Sequence, residues 1–425
     1  MAVAVTAATN GQNQPSPLAA TPRECRSPRY HASMPSLRAL PRIRFAIACC
    51  LSSSLAAQQG AAAAGDVVLD LAELARHHAT VAARLDAATP VTLAAGGSCG
   101  VRGATTVKLL GTAPATLQLP VPQQTHGQVP LLFGALAKPA AALHSLVLRR
   151  DAAGATLVAT VQGKNGTEVA IEWNAVVLLA ERPEPATPKT AKPFLAATPC
   201  AQANDESIRA LAAQLAPADA APTVLAKALQ QWLPRQAPKQ RPQTLDALGL
   251  LASGNHGICT MNANLGVALL RQRSVPARSL AVVPTTGQRL EMHRIVEWFA
   301  DERWQRFDPS LVHTDVPMRV AQSVVMAITS IDDEERAGKP RMAAPLGCPF
   351  GQEVEIVRGP ATLFGGDFFW TQALPLAAFD ADDGAVAAAA AAWRQFQREG
   401  RCSATAEAAA AAVDLAGFQA AWQPR

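Results

Sequence analysis

Three residues have the types and spacing for nucleophilic chemistry: Cys259, His293 and Asp308. Ser253-Gly254-Asn255-His256-Gly257 reads as a turn, after which Ile258, Met261, Leu265, Ala268 and Leu269 recur at helical spacing until Pro276. Cys259 therefore falls in the first turn of a helix, beneath a glycine that would let a substrate backbone approach. The free N–H groups and positive potential of a helix N-terminus favour thiolate over thiol, and the same N–H groups could hold an oxyanion. Taken alone, the placement also suits a buried, inert cysteine.

The histidine and the aspartate belong to a second unit. Arg289–Phe299 alternates like a strand, and Glu302–Asp308 reads as its partner. A two-residue loop at Ala300-Asp301 sets His293 directly opposite Asp308, and a loop at Asp301-Glu302 leaves them diagonal on one face. A three-residue loop without a bulge would send them to opposite faces. Two-residue loops are the commonest in hairpins, so the imidazole and carboxylate are expected in contact. A thiol held against the other side of that imidazole completes a set of nucleophile, base and orienting group.

The ordered set of elements resembles the transglutaminase-like superfamily of cysteine enzymes. It reads Gly257-x-Cys259 at a helix start, Leu270-Arg271 near the helix end, Val275-Pro276-Ala277-Arg278, the His293 strand, and a strand running Trp304-Gln305-Arg306-Phe307-Asp308-Pro309, all within 245–312. The resemblance implies a papain-like α+β core, with Cys259 as nucleophile, His293 as general base and Asp308 as the group that orients His293. Two positions depart from the family pattern, Thr260 after the cysteine and Ile295 two residues after the histidine, where aromatics are common. Both positions line the cleft in that pattern, so they bear on substrate choice.

Other candidates have plainer explanations. His256 could tune the thiol or join Cys259 and His293 at a metal, but a turn residue suffices. His77-His78 lies on a charged helical stretch and reads as solvated, and Trp298 and Trp304 read as core. Of the 8 cysteines, Cys25, Cys49 and Cys50 lie in the first 56 residues. Cys99, Cys200, Cys348 and Cys402 could form two disulfides in three ways, leaving Cys259 free. No C-x-x-C pair, nucleotide-binding loop or EF-hand loop is visible, and no metal or cofactor is expected.

Residues 1–56 hold six arginines and one acid, Glu24, leaving 32 basic and 32 acidic groups over the rest of the chain. A protein that neutralises phosphates would keep its basic excess in the folded part, so nucleic acid is excluded as a partner. Within 1–56, a basic stretch after Met34 (Arg38, Arg42, Arg44), the apolar run Phe45–Leu55 and the small residues of Ser54-Leu55-Ala56 read as an export signal. No segment reads as transmembrane. Export to the periplasm or beyond is expected.

The remainder divides, on pattern, into a β-rich accessory domain over 65–180, a catalytic core over 195–320 and an extension over 321–425 with alanine-rich helices at 384–398 and 403–423. A helix is expected over 66–90, a hairpin of Thr156–Gly163 and Thr167–Leu179 around Asn165-Gly166, a proline-rich linker over 181–194, and broken helix over 204–232 with Asp205 or Ser207 as cap. The function expected is cysteine-dependent acyl transfer or hydrolysis at peptide or side-chain amides of a protein or peptide substrate. A protease or amidase passes the acyl group to water, and a transglutaminase passes it to an amine. The alternative is a non-catalytic extracytoplasmic scaffold or binding protein that keeps the fold.

Overall fold

The structure, a computed structural model, describes residues 65–87, 90–93, 96–125, 127–150, 154–180, 188–239, 242–254, 257–285, 292–312, 314–337, 354–358, 370–378 and 383–400. The expected signal segment, His256, Cys348, Cys402 and the expected helix at 403–423 lie outside the described residues.

Strand β1 (Gly65–Val68) leads into α1 (Leu71–Ala87). Asp70 caps this helix, its Oδ1 accepting from the N–H groups of Ala72 at 3.0 Å and Glu73 at 3.1 Å. Six strands follow: β2 (Gly97–Leu109), β3 (Ala115–Pro120), β4 (Gln128–Lys138), β5 (Leu143–Arg150), β6 (Ala155–Val161) and β7 (Glu168–Leu179). They make two antiparallel sheets, one ordered β1-β5-β6-β3 and the other built on β2-β7-β4. In β7 the run Ala175–Leu179 is buried throughout, as a central strand covered on both faces should be. Helix α1 lies against β4 so closely that a Cβ at Gly134 would fall 2.1 Å from the His78 backbone nitrogen. That approach buries His77 (4% exposed) and most of His78, which corrects their reading as solvated.

The expected hairpin around Asn165-Gly166 does not form. β6 pairs with β3 and β5, whereas β7 pairs with β2 and β4. The turn itself is present, with Gly166 at φ +85°. The end of β2 captures it: Gly166 N–H donates to Leu109 O at 2.7 Å and Leu109 N–H to Thr167 O at 2.9 Å. The chain therefore crosses between sheets where the local pattern favours doubling back.

Helix α2 (Pro188–Ala191) and a 3₁₀ turn to Leu195 fold the end of the expected linker, where Phe194 packs edge-on against Trp304 with ring centres 5.7 Å apart. The helical stretch 204–232 resolves into α3 (Glu206–Leu215), capped by Asp205, and α4 (Pro222–Trp232). Then come α5 (Ala247–Ser253), α6 (Cys259–Gln272), β8 (Ala277–Pro284), β9 (His293–Ala300), β10 (Arg303–Phe307), β11 (Ser323–Ile328) and α7 (Ile331–Ala337). The four strands form an antiparallel sheet in the order β10-β9-β8-β11. Leu265 and Leu269 of α6 share a buried cluster with Val296, Trp298 and Phe307 of the sheet and with Ile208 and Leu229 of α3 and α4. Each such side chain contributes about 1.5–3 kcal/mol on burial, which fixes the Cys259 helix on the hairpin.

Strands β12 (Val354–Arg358) and β13 (Trp370–Ala378), from the segment expected as an extension, pair successively with β2, and α8 (Asp383–Glu399) packs on β4 through Phe396 and Phe133. Edge strand β11 is joined to the β-rich half through glutamine side chains. Gln128 Oε1 accepts from Val325 N–H at 2.7 Å and its Nε2 donates to Val325 O at 2.8 Å, while Gln123 Nε2 donates to Met326 O at 2.9 Å. These amides satisfy an edge that would otherwise present unpaired backbone groups. The fold is α+β.

Candidate active site

Cys259 is the first residue of α6, with Ile258 as its N-cap. A Cβ at Gly257 would lie 2.2 Å from Leu250 Cδ1 and 2.9 Å from Asn262 Oδ1, so the glycine makes room for the protein's own packing. The His293 side chain and the Arg294 backbone N–H are the groups that act most strongly on the thiol's charge.

The β9–β10 turn is Asp301-Glu302, both at positive φ (51° and 58°), as a tight hairpin turn requires. Its register pairs Arg303 with Ala300 and Phe307 with Val296. Of the three expected arrangements this is the diagonal one, and His293 and Asp308 keep to a common face. His293 Nε2 and Asp308 Oδ2 lie 2.6 Å apart, with His293 9% and Asp308 1% exposed. Nε2 being committed to the carboxylate, Nδ1 is the ring nitrogen left for the thiol. Asp308 is held at its other oxygens too: Oδ1 accepts from Ser310 N–H at 2.8 Å, and its carbonyl accepts from Gln230 Nε2 of α4 at 2.7 Å.

Electrostatics follow this geometry. Burial alone would raise the Cys259 thiol, but the His293 hydrogen bond and charge, with the Arg294 N–H and guanidinium, outweigh it and hold the thiol below its ordinary value. Burial alone would depress His293, but its bonds to Asp308 and Cys259 and their charges raise it to about 9. The pair thus favours thiolate and imidazolium. Two other thiols behave oppositely: burial pushes Cys99 well above the usual thiol range, and burial with nearby Glu334 pushes Cys200 up to about 12. Both are free and buried, so none of the three expected two-disulfide arrangements of Cys99, Cys200, Cys348 and Cys402 forms.

Behind His293 on the same strand face sits Glu297, 0% exposed. Its Oε2 accepts from Arg278 Nη2 at 2.7 Å and its Oε1 from Arg306 Nε at 3.1 Å, and Arg278 also lies 3.8 Å over the Trp304 ring. Burial would raise the Glu297 carboxyl, but the two arginines hold it low. Arg271, from the expected helix-end motif, makes a buried bidentate pair with Glu334 at 2.7 and 2.9 Å. Trp298 and Trp304 are core, as expected. Ile295 is fully buried with Leu280, Val282 and Val325, and Thr260 is 9% exposed, so Ile295 is part of the core rather than a cleft wall. A cavity of about 330 Å³ lies elsewhere, between Leu211, Trp232, Lys239 and Leu251. Gln230, Asn262, Glu297 and Ser310 carried no motif of their own. Glu297 could have been found from the hairpin register, which sets it opposite Arg306.

Residues 209–309 match the family model of the transglutaminase-like superfamily, so this chain carries a transglutaminase-like core. No curated protein matches the chain. Among solved structures, a proposed cysteine protease of Cytophaga hutchinsonii is similar at 17% identity and a TM-score of 0.47, over 66% of this chain and 98% of that one. The periplasmic domain of TgpA from Pseudomonas aeruginosa is similar at 18% identity and a TM-score of 0.27, over 54% of this chain and 90% of that one. Among the described residues, no helix is long and apolar enough to cross a membrane.

Proposed function

We propose that this protein is an exported cysteine enzyme that cleaves or transfers acyl groups at peptide or side-chain amides. The observation that carries this reading is the 2.6 Å contact of His293 Nε2 with Asp308 Oδ2, with the same imidazole acting on the charge of the Cys259 thiol. In the proposed reaction the Cys259 thiolate attacks the amide carbonyl carbon, and the C=O electrons move onto oxygen. The N-terminal N–H groups of α6 face developing negative charge at that end of the helix. His293 gives its proton to the amine nitrogen as the C–N bond breaks, leaving a thioester on Cys259. Water or a second amine then attacks the thioester while His293 takes a proton from it, and thiolate leaves. Asp308 keeps Nε2 protonated, so that Nδ1 exchanges the proton with sulfur and substrate.

Mass spectrometry tests this. Incubation of native protein with iodoacetamide should label Cys259 ahead of the buried Cys99 and Cys200 near neutral pH, with an apparent pKa below the ordinary thiol value of about 8.5. Incubation with a labelled primary amine and a glutamine peptide should give either joined product or hydrolysed peptide. A native Cys259 that resists alkylation overturns the reading.

A further inference from the structure

Cys259 and the His293–Asp308 hairpin arrive on different elements, and a polar link outside the apolar core joins them. Asn262, one helical turn along α6 from Cys259, donates from Nδ2 to Ser310 Oγ at 3.0 Å. The backbone N–H of the same serine donates to Asp308 Oδ1 at 2.8 Å, and the opposite oxygen of that carboxylate meets His293. Carried three residues past the end of β10, the hairpin register would set Ser310 opposite His293. Asn262, Ser310, Asp308 and His293 therefore form a chain of hydrogen bonds that starts on α6 and ends on the imidazole that acts on the Cys259 thiol. Gly257 fits the same device, because a Cβ there would come within 2.9 Å of Asn262 Oδ1.

We infer that Asn262 and Ser310 are positioning residues, a strut that sets the alignment of the Cys259 sulfur with the His293 ring by tying the nucleophile's helix to the turn that carries Asp308. This rests on the function proposed above. Neither residue touches the reacting atoms. Both are partly exposed, so truncating either leaves its partner open to water rather than buried and unsatisfied, and the apolar packing of α6 on the sheet stays in place.

The test is the pH dependence of iodoacetamide alkylation at Cys259 in the full chain, read by mass spectrometry beside the melting temperature. Asn262→Ala and Ser310→Ala should each move the midpoint up by about one pH unit, slowing alkylation about tenfold on the acid side. The double variant should be no worse than either single one, since both remove the same link. Ser310→Thr keeps the hydroxyl and should restore the native profile. Variants that melt lower but keep the native alkylation profile overturn the strut while leaving the triad standing. A wild-type midpoint at the ordinary thiol value overturns the functional reading and the strut together.

Discussion

At the scale of single residues, Asp308 carries two loads that substitution can separate. One oxygen meets His293 at 2.6 Å and the other caps the turn through Ser310 N–H. In Asp308→Asn the amide oxygen can keep the turn, but the NH₂ group then donates to Nε2 and forces the proton onto Nδ1, facing sulfur. Turnover of an amide substrate should fall by about 10⁴ with little change in melting temperature, the size seen for the equivalent change in a serine-protease triad. Near-native turnover in the asparagine variant would leave Asp308 as a turn cap only. A second prediction concerns pH. His293 is raised to about 9 in the fold, so its stabilising contribution is full below pH 6.5 and is lost as pH rises through 9. Cys259 is shifted down, so its contribution grows as pH rises towards the ordinary thiol range. Where the ranges overlap, the folded pair (thiolate with imidazolium) and the unfolded pair (thiol with imidazole) hold the same number of protons, and the slopes cancel. Wild-type melting temperature should be flat there. Cys259→Ser removes one slope together with the Cys259 share of the histidine's rise, so with Asp308 still in place its melting temperature should fall as pH rises above 6.5; a flat profile in that variant would count against the Asp308 contribution. The three residues were legible because each sits on a strong local signal: a helix start, an alternating strand and a Trp-x-x-x-Asp-Pro ending. Asn262 and Ser310 were not, because ordinary polar residues acquire a role only when two elements meet.

At the scale of elements, the β9–β10 hairpin depends on a charge arrangement that its alternation partly encodes. His293, Ile295 and Glu297 share a face, and register sets Glu297 against Arg306 and Arg278. Alternation alone reads these charges as a solvated face; the structure buries them and neutralises one carboxylate with two guanidinium groups. Glu297→Ala should destabilise the fold by about 3–5 kcal/mol, because it leaves buried cations without their anion. A urea midpoint unchanged in that variant would mean that water reaches the arginines. The hairpin was legible because its strands are adjacent in sequence and its turn has two residues. The failed β6–β7 hairpin had the same local credentials, an Asn-Gly turn between two apolar strands. It lost to a long-range competitor: β2 pairs with β7 from Gly97↔Leu179 to Lys108↔Glu168, which outweighs any two-strand ribbon formed alone. Local pattern fixes the strand and the turn, while the choice of partner belongs to surfaces distant in the chain.

At the scale of the whole molecule, β8 and β11 of the sheet that carries His293 contribute to the apolar cluster of the β-rich half, beside a separate cluster around α6. Ala281 and Val283 of β8 and Val324 and Met326 of β11 belong to the same buried cluster as Leu117, Leu157 and Val177. Two thiols report on the two halves: Cys99 lies in β2, and Cys200 precedes α3 with its Sγ donating to Glu334 O at 3.4 Å. Both are buried and should alkylate only on unfolding. Because one sheet contributes to both clusters, pulse alkylation across a urea series should label Cys99 and Cys200 with one midpoint. Gln128 lies in the β-rich half, is 0% exposed, and bonds both backbone groups of Val325. Gln128→Leu removes the partner of the Val325 N–H, at about 1–3 kcal/mol for a buried group left unsatisfied, while Val325 O keeps the Gln123 backbone N–H at 2.9 Å, and should move both labelling midpoints down together. If Gln128→Leu lowered only the Cys200 midpoint, or if Cys99 stayed protected at urea concentrations that expose Cys200 in the wild type, the halves would be separate folding units. The glutamine contacts would then be a docking seam rather than part of a common core.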